Sequence, residues 1–176
     1  LRLGIGLGMT HIDTAEMYGD GGAEELVAEA IAGRRSEVFL VSKVLPSNAS
    51  YRGTIEACER SLKRLRTDCM DLYLLHWPSS HPIKETMRAM EELVAAGRTR
   101  FIGVSNFDLE ELREAQGALR RERIACNQVL YHLGDRGIER RLIPYCLKEQ
   151  IAVVGYSPFG HGRFPRPGTR GGAVLS

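Results

Sequence analysis

No apolar stretch of the sequence approaches the roughly 20 residues that a membrane-spanning helix requires, so no membrane segment is expected. Charge of one sign is also scarce. The 24 basic and 22 acidic residues leave a formal net charge of +2, which gives no electrostatic reason to invoke nucleic acid or an anionic lipid surface. Cysteine is sparse: Cys58, Cys69, Cys126 and Cys146 stand far apart with no C-x-x-C pair. That spacing argues against a disulfide framework or a zinc site and predicts reduced, packed thiols in a cytoplasmic protein. His11, His76, His81, His132 and His161 also lack the spacing of metal ligands, and no metal is expected. The first residues, LRLGIGLGMT, are too short and glycine-rich to read as a signal peptide. Their glycines lack the last member of G-x-G-x-x-G and follow no strand, so they make no dinucleotide fingerprint.

What remains is a soluble-type composition, 43% apolar and 26% charged over 176 residues, enough for one domain with a sizeable core. Six short apolar runs of strand length fall at 11–15, 38–44, 71–77, 101–107, 126–133 and 151–159. Between them lie segments with helical periodicity. Residues 1–9 read as the end of a helix closed by Gly8. Residues 21–35 place Leu26, Val27, Ala30 and Ile31 on one stripe. Residues 54–67 repeat the stripe with Ile55, Cys58, Leu62 and Leu65, and residues 83–99 with Ile83, Met87, Met90 and Val94 up to Gly97. Asp108 with Glu111 three residues on predicts a capped helix start, and a further helix is expected over 140–150. Strict strand–helix alternation with near-continuous apolar strands predicts a parallel α/β fold of the (β/α)8 TIM-barrel type, with about six of eight strands present. Residues 1–160 form this partial barrel as a single domain, and 161–176, rich in glycine, proline and arginine, read as a loop or truncated tail.

Four of the runs end in chemically capable side chains: HIDTAEMYG (11–19), VFLVSKV (38–44), DLYLLHWP (71–78) and FIGVSNF (101–107). In a parallel barrel all strand ends open on one face, where the chemistry sits, so Asp13, Tyr18, Lys43 and His76 can converge. A tyrosine ionises near pH ~10 unaided; a neighbouring ammonium stabilises its phenolate and makes it a better proton donor. Lys43 can supply that charge, Asp13 can hold the lysine, and His76 can aim a hydrogen bond at a substrate oxygen. Each residue also has a plain structural use: a buried Asp13–Lys43 ion pair, a core histidine, a loop aromatic.

The stretches IDTAEMYG, VSKV, LLHWP, IGVSNF, NQV and YSP, in this order on these strand ends, resemble the aldo-keto reductase superfamily over essentially the whole chain, and bacterial reductases of aldehydes and α-dicarbonyls in particular. The resemblance implies NADP(H)-dependent, reversible reduction of aldehydes or ketones to alcohols. It implies Tyr18 as general acid supported by Lys43 and Asp13, with His76 orienting the carbonyl and Trp77 walling the substrate pocket beside Tyr18 and His76. Ser105, Asn106 and Gln128 are expected to hold the nicotinamide carboxamide, Tyr156 to stack on the ring, and Ser157 and Phe159 to continue along the pyrophosphate arm. The family's first strand, its last strand and the segment that binds the adenosine 2′-phosphate have no counterpart in the sequence. Six strands leave two open edges, which predicts self-association. A non-catalytic nucleotide-binding module of the same fold, or an inactive fragment of the reductase, stay open as alternatives.

Overall fold

The computed structural model describes residues 1–160; the tail expected at 161–176, with His161, lies outside the described residues. The elements run α1 (Arg2–Gly6), β1 (His11–Asp13), α2 (Gly22–Ile31), β2 (Phe39–Val44), α3 (Tyr51–Leu65), β3 (Met70–Leu75), α4 (Ile83–Ala95), β4 (Thr99–Ser105), α5 (Leu109–Ala118), β5 (Ile124–Leu130), α6 (Leu142–Glu149) and β6 (Ala152–Tyr156). All six strands are parallel and lie in the order β1-β2-β3-β4-β5-β6. That order decides between two architectures. A doubly wound sheet reverses its strand order and carries helices on both faces. A strictly sequential order keeps every right-handed crossover on the same face, which is the winding of a barrel. The fold is five consecutive β/α units and a sixth strand, of the (β/α)8 type.

Strand residues therefore alternate between helices and barrel interior. Ile12, Leu40, Tyr73, Leu75, Ile102 and Val104 belong to the large core shared with α2 to α5. Val41, Leu72, Leu74 and Cys126 form a smaller cluster on the inner face, with Phe39, Ala125 and Val154 packed against it. The helix boundaries have identifiable local causes. Ser50 caps α3 by accepting the Gly53 N–H at 3.1 Å. Asp108 and Glu111 form the reciprocal capping box expected for α5. Gly97, with φ +69°, ends α4, and Gly8, with φ +91°, follows α1.

Two expectations need correction. The helix over 21–35 stops at Ile31, because the chain turns left-handed at Gly33 (φ +74°) and a 3-10 turn at Arg35–Glu37 leads into β2. Its buried face keeps Val27, Ala30 and Ile31 of the expected stripe and loses Leu26. Leu26 is 63% exposed, while Glu24, Val27, Ala28 and Ile31 face inward with i, i+3, i+4, i+7 spacing. A buried carboxylate occupies the position that hydrophobicity alone gives to a leucine. At α1, Ile5 is buried but Leu1 and Leu7 are exposed.

Gly103 marks a tight spot of the inner face, beside an irregularity in the β4–β5 register. A Cβ there would lie 2.5 Å from the Cys126 carbonyl oxygen and 2.7 Å from Leu74 Cδ2. Gly103→Ala is expected to destabilise the fold by about 1–3 kcal/mol, read as a lower denaturant midpoint. An unchanged midpoint would contradict the close approach of β4 and β5.

Candidate active site

Strand parity brings the polar strand ends together. Lys43 shares the inner face with Val41, Asp13 with His11, Gln128 with Cys126 and Ser105 with Gly103, while the residues between them point to the helices. His76 continues the inner parity of Leu72 and Leu74 one residue beyond β3, and Tyr156 that of Val154. Tyr18 reaches the same place from the turn after β1, where its N–H donates to the Ala15 carbonyl at 3.1 Å and its carbonyl accepts from Ala23 N at 3.1 Å.

At the centre, Lys43 is fully buried and its Nζ donates to Asp13 Oδ1 and, at 3.0 Å, to the Thr14 carbonyl. Gln128 Nε2 donates to the other Asp13 oxygen at 2.8 Å, so the carboxylate is held from β2 and from β5. The Lys43 Nζ lies 5.2 Å from the centroid of the Tyr18 ring, which is 38% exposed. The edge of that ring meets His76, with centroids 5.6 Å apart and planes at 79°.

His76 is 7% exposed and its Nδ1 is buried with no partner among the described residues. Burial, then the Lys43 charge, push its pKa down from 6.5 to about 4 against the weaker opposing pull of Asp13. The ring is thus a neutral imidazole at neutral pH. Trp77 packs on it with centroids 4.7 Å apart. Next to them Asn106 adopts a left-handed conformation with φ +61°, which turns the chain out of β4 directly after Ser105. Its Nδ2 donates to the His76 carbonyl at 3.0 Å and to Ser105 Oγ at 3.2 Å, and its Oδ1 accepts the Tyr156 hydroxyl at 2.7 Å. Ser105 Oγ donates to the Gln128 carbonyl at 2.8 Å.

These groups line one cleft of about 540 Å³, within the range of small-molecule sites. Asp13, Tyr18, His76, Trp77, Ser105, Asn106, Gln128, Tyr156 and Ser157 all line it. Lys43 lies beneath it. Phe159 is 65% exposed and is not among the lining residues. His11 and Met17 also line the cleft; neither is among the residues that the sequence motifs nominate. His11 was findable, since it stands two residues before Asp13 and so on the same strand face. Met17 carries no signal beyond adjacency to Tyr18.

Burial pushes the Cys58 and Cys126 thiols up to about 12, which removes both as thiolate nucleophiles. Among the described residues no group of three or more His, Cys, Asp or Glu side chains is arranged to hold a metal, and no helix is long and apolar enough to cross a membrane. What the cleft gathers is a tyrosine near a lysine, a neutral histidine, and amide and hydroxyl groups beside aromatic faces. Ser105, Asn106 and Gln128 set hydroxyl and amide groups beside the Tyr156 ring at the cleft.

Comparison with known proteins gives the lineage. Residues 1–175 match the model of the Aldo/keto reductase family. Methylglyoxal reductase YeaE of Escherichia coli strain K12 is 52% identical over 176 residues, covering 100% of this chain and 62% of that protein. Aldo-keto reductase YhdN of Bacillus subtilis strain 168 is 38% identical over 173 residues, covering 92% of this chain and 51% of that protein. The crystal structure of an aldo-keto reductase from Klebsiella pneumoniae in complex with NADPH superposes with a TM-score of 0.90 at 50% identity, over 96% of this chain and 59% of that one. The thermostable aldo-keto reductase Tm1743 in complex with the inhibitor epalrestat gives a TM-score of 0.90 at 45% identity, over 94% and 61%. The chain spans 62% and 51% of the two curated relatives. With residues 1–175 matched by the family model and the strands wound in barrel order, the chain belongs to the aldo/keto reductase family.

Proposed function

We propose that the chain carries the catalytic half of an NADPH-dependent reductase that converts aldehydes or ketones to alcohols, with Tyr18 as the general acid. The observation that carries this reading is the convergence of Asp13, Lys43 and His76, from three different strand ends, on the Tyr18 ring at the cleft. The printed names of the relatives, a methylglyoxal reductase and an NADPH-bound aldo-keto reductase, support it.

A carbonyl oxygen seated between Tyr18 and His76 would accept hydrogen bonds from both. Neutral His76 has one N–H. Its Nδ1 faces no acceptor among the described residues, which leaves Nε2 as the nitrogen that can donate. As negative charge develops on the oxygen, the Tyr18 hydroxyl delivers its proton, and the Lys43 ammonium beside the ring stabilises the phenolate left behind. Asp13 fixes that ammonium in place. Bound along Ser105, Asn106, Gln128 and Tyr156, the nicotinamide would supply the hydride. Gln128 and Asn106 would hold its carboxamide, and Tyr156 would stack on its face, with Ser157 and Phe159 following the pyrophosphate arm. Trp77 walls the substrate side and excludes water. The four cysteines are unbridged, which supports a reducing, cytoplasmic setting. The outer edges of β1 and β6 carry no strand partner among the described residues, which supports self-association through them.

Tyr18→Phe is expected to lower turnover of small aldehydes by ~10²-fold or more while leaving the calorimetric affinity for NADPH unchanged. Equal turnover would exclude Tyr18 as the proton donor, whereas NADPH binding with no turnover in the wild type would favour a non-catalytic nucleotide-binding role.

His76 also makes a pH-dependent contribution to stability. Its folded pKa, about 4, lies below its ordinary value of 6.5, so the unfolded chain binds the proton first as pH falls. The stability it contributes is complete above about pH 6.5 and is lost progressively toward pH 4. The denaturant midpoint of the wild type should therefore fall more between pH 7 and pH 4.5 than that of His76→Gln. Parallel falls would contradict the buried, neutral imidazole.

A further inference from the structure

Two buried carboxylates stand on either side of Tyr18 in the chain, and both grip the strand that carries Lys43. Glu16, two residues before Tyr18, is 8% exposed. Its Oε1 accepts the Leu45 N–H at 2.7 Å and Asn48 Nδ2 at 3.0 Å, and its Oε2 lies 3.7 Å from the Arg60 guanidinium. Its own N–H donates to the Lys43 carbonyl at 3.3 Å. Glu24, six residues after Tyr18, is fully buried. Its Oε1 accepts the Ser42 hydroxyl at 2.6 Å and its Oε2 accepts Arg64 Nε at 2.6 Å. Arg64 in turn lies so close over Gly21 that a Cβ there would sit 2.5 Å from its Cδ and Nε. The turn bearing Tyr18 is thus held at its entry by Leu45 and Asn48, and at its exit by Ser42 and Arg64.

Burying two carboxylates costs free energy unless their oxygens are satisfied, and an apolar residue at position 24 would suit the α2 stripe. The partners they have chosen are Ser42 and Leu45, which flank Lys43 in β2 and just beyond it. Building on the reductase reading above, we propose that Glu16 and Glu24 are positioning residues that set the height of the Tyr18 hydroxyl relative to the Lys43 ammonium. They act through Ser42, Leu45 and Arg64 and do not line the cleft.

Glu91 supplies a control of matched chemistry. It is a buried carboxylate whose Oε1 accepts the N–H groups of Arg120, Arg121 and Glu122 at 2.8, 2.6 and 3.1 Å, far from the cleft. The test uses the full chain with 13C-labelled tyrosine, the Tyr18 ring signal being assigned from Tyr18→Phe. Glu16→Gln and Glu24→Gln should each shift or split that signal and weaken its through-space contact with His76. Glu91→Gln should leave it unmoved at equal loss of stability. If either glutamate variant fails to fold, Ser42→Ala, which cuts Glu24 from β2 and removes no charge, should move the signal in the same direction. In turnover, kcat should fall ~10-fold or more in the two glutamate variants, with KM and NADPH affinity changing less than about twofold. A Tyr18 signal unchanged in folded Glu16, Glu24 and Ser42 variants, or moved equally by Glu91→Gln, would overturn the proposal. Absent turnover in the wild type would count against the reductase reading alone, and the ring signal would still decide the positioning role.

Discussion

The site depends on one ion pair beside a tyrosine, its lysine buried and its carboxylate reaching the surface of the cleft. Lys43 has no exposed surface, and an ammonium taken out of water costs several kcal/mol unless it is paired and hydrogen-bonded. Asp13 and the Thr14 carbonyl meet that need from β1, and Gln128 holds the second carboxylate oxygen from β5. Asp13 and Gln128 lie 115 residues apart in the chain. Their meeting requires that the sheet curl until β1 and β5 face one another across the interior, so the polar centre and the barrel curvature specify each other.

Around that centre, functional groups hang just past the hydrogen-bonded ladder. Leu75 ends β3 and His76 follows; Ser105 ends β4 and Asn106 follows. A side chain inside the ladder is fixed by its pleat, whereas one placed immediately after it can be aimed by a short turn. Asn106 shows how: its left-handed backbone carries it out of the strand, and its amide ties the His76 carbonyl to the Tyr156 hydroxyl. The rim of the cleft is braced by residues that also face into it.

The sequence made this arrangement legible wherever apolar periodicity and strand-end chemistry coincided. Six strands and the helices between them form in the order the pattern predicts, and Asp13, Tyr18 and His76 line one cleft, with Lys43 bonded to Asp13. Five of the six expected runs, all but 38–44, extend two or three residues past the strand's C-terminal end, because residues such as Trp77, Phe107 and Leu133 continue the pattern after the ladder has ended, and the runs at 101 and 126 begin two residues late. The buried acids were invisible for the opposite reason. Glu24 lies in a helix where charge predicts exposure and neighbouring Leu26 predicts burial, and only the partners Ser42 and Arg64, distant in sequence, reverse the two.

The central claim is that the cleft beside the Asp13–Lys43 pair accepts a nicotinamide nucleotide. Trp77, the single tryptophan of the chain, lines that cleft against His76 and reports on it directly. Titrating the folded chain with NADPH while exciting Trp77 is the most direct measurement. The account predicts saturable quenching with energy transfer to the reduced nicotinamide. Tryptophan emission that stays constant at every NADPH concentration, in protein shown to be folded, would contradict it.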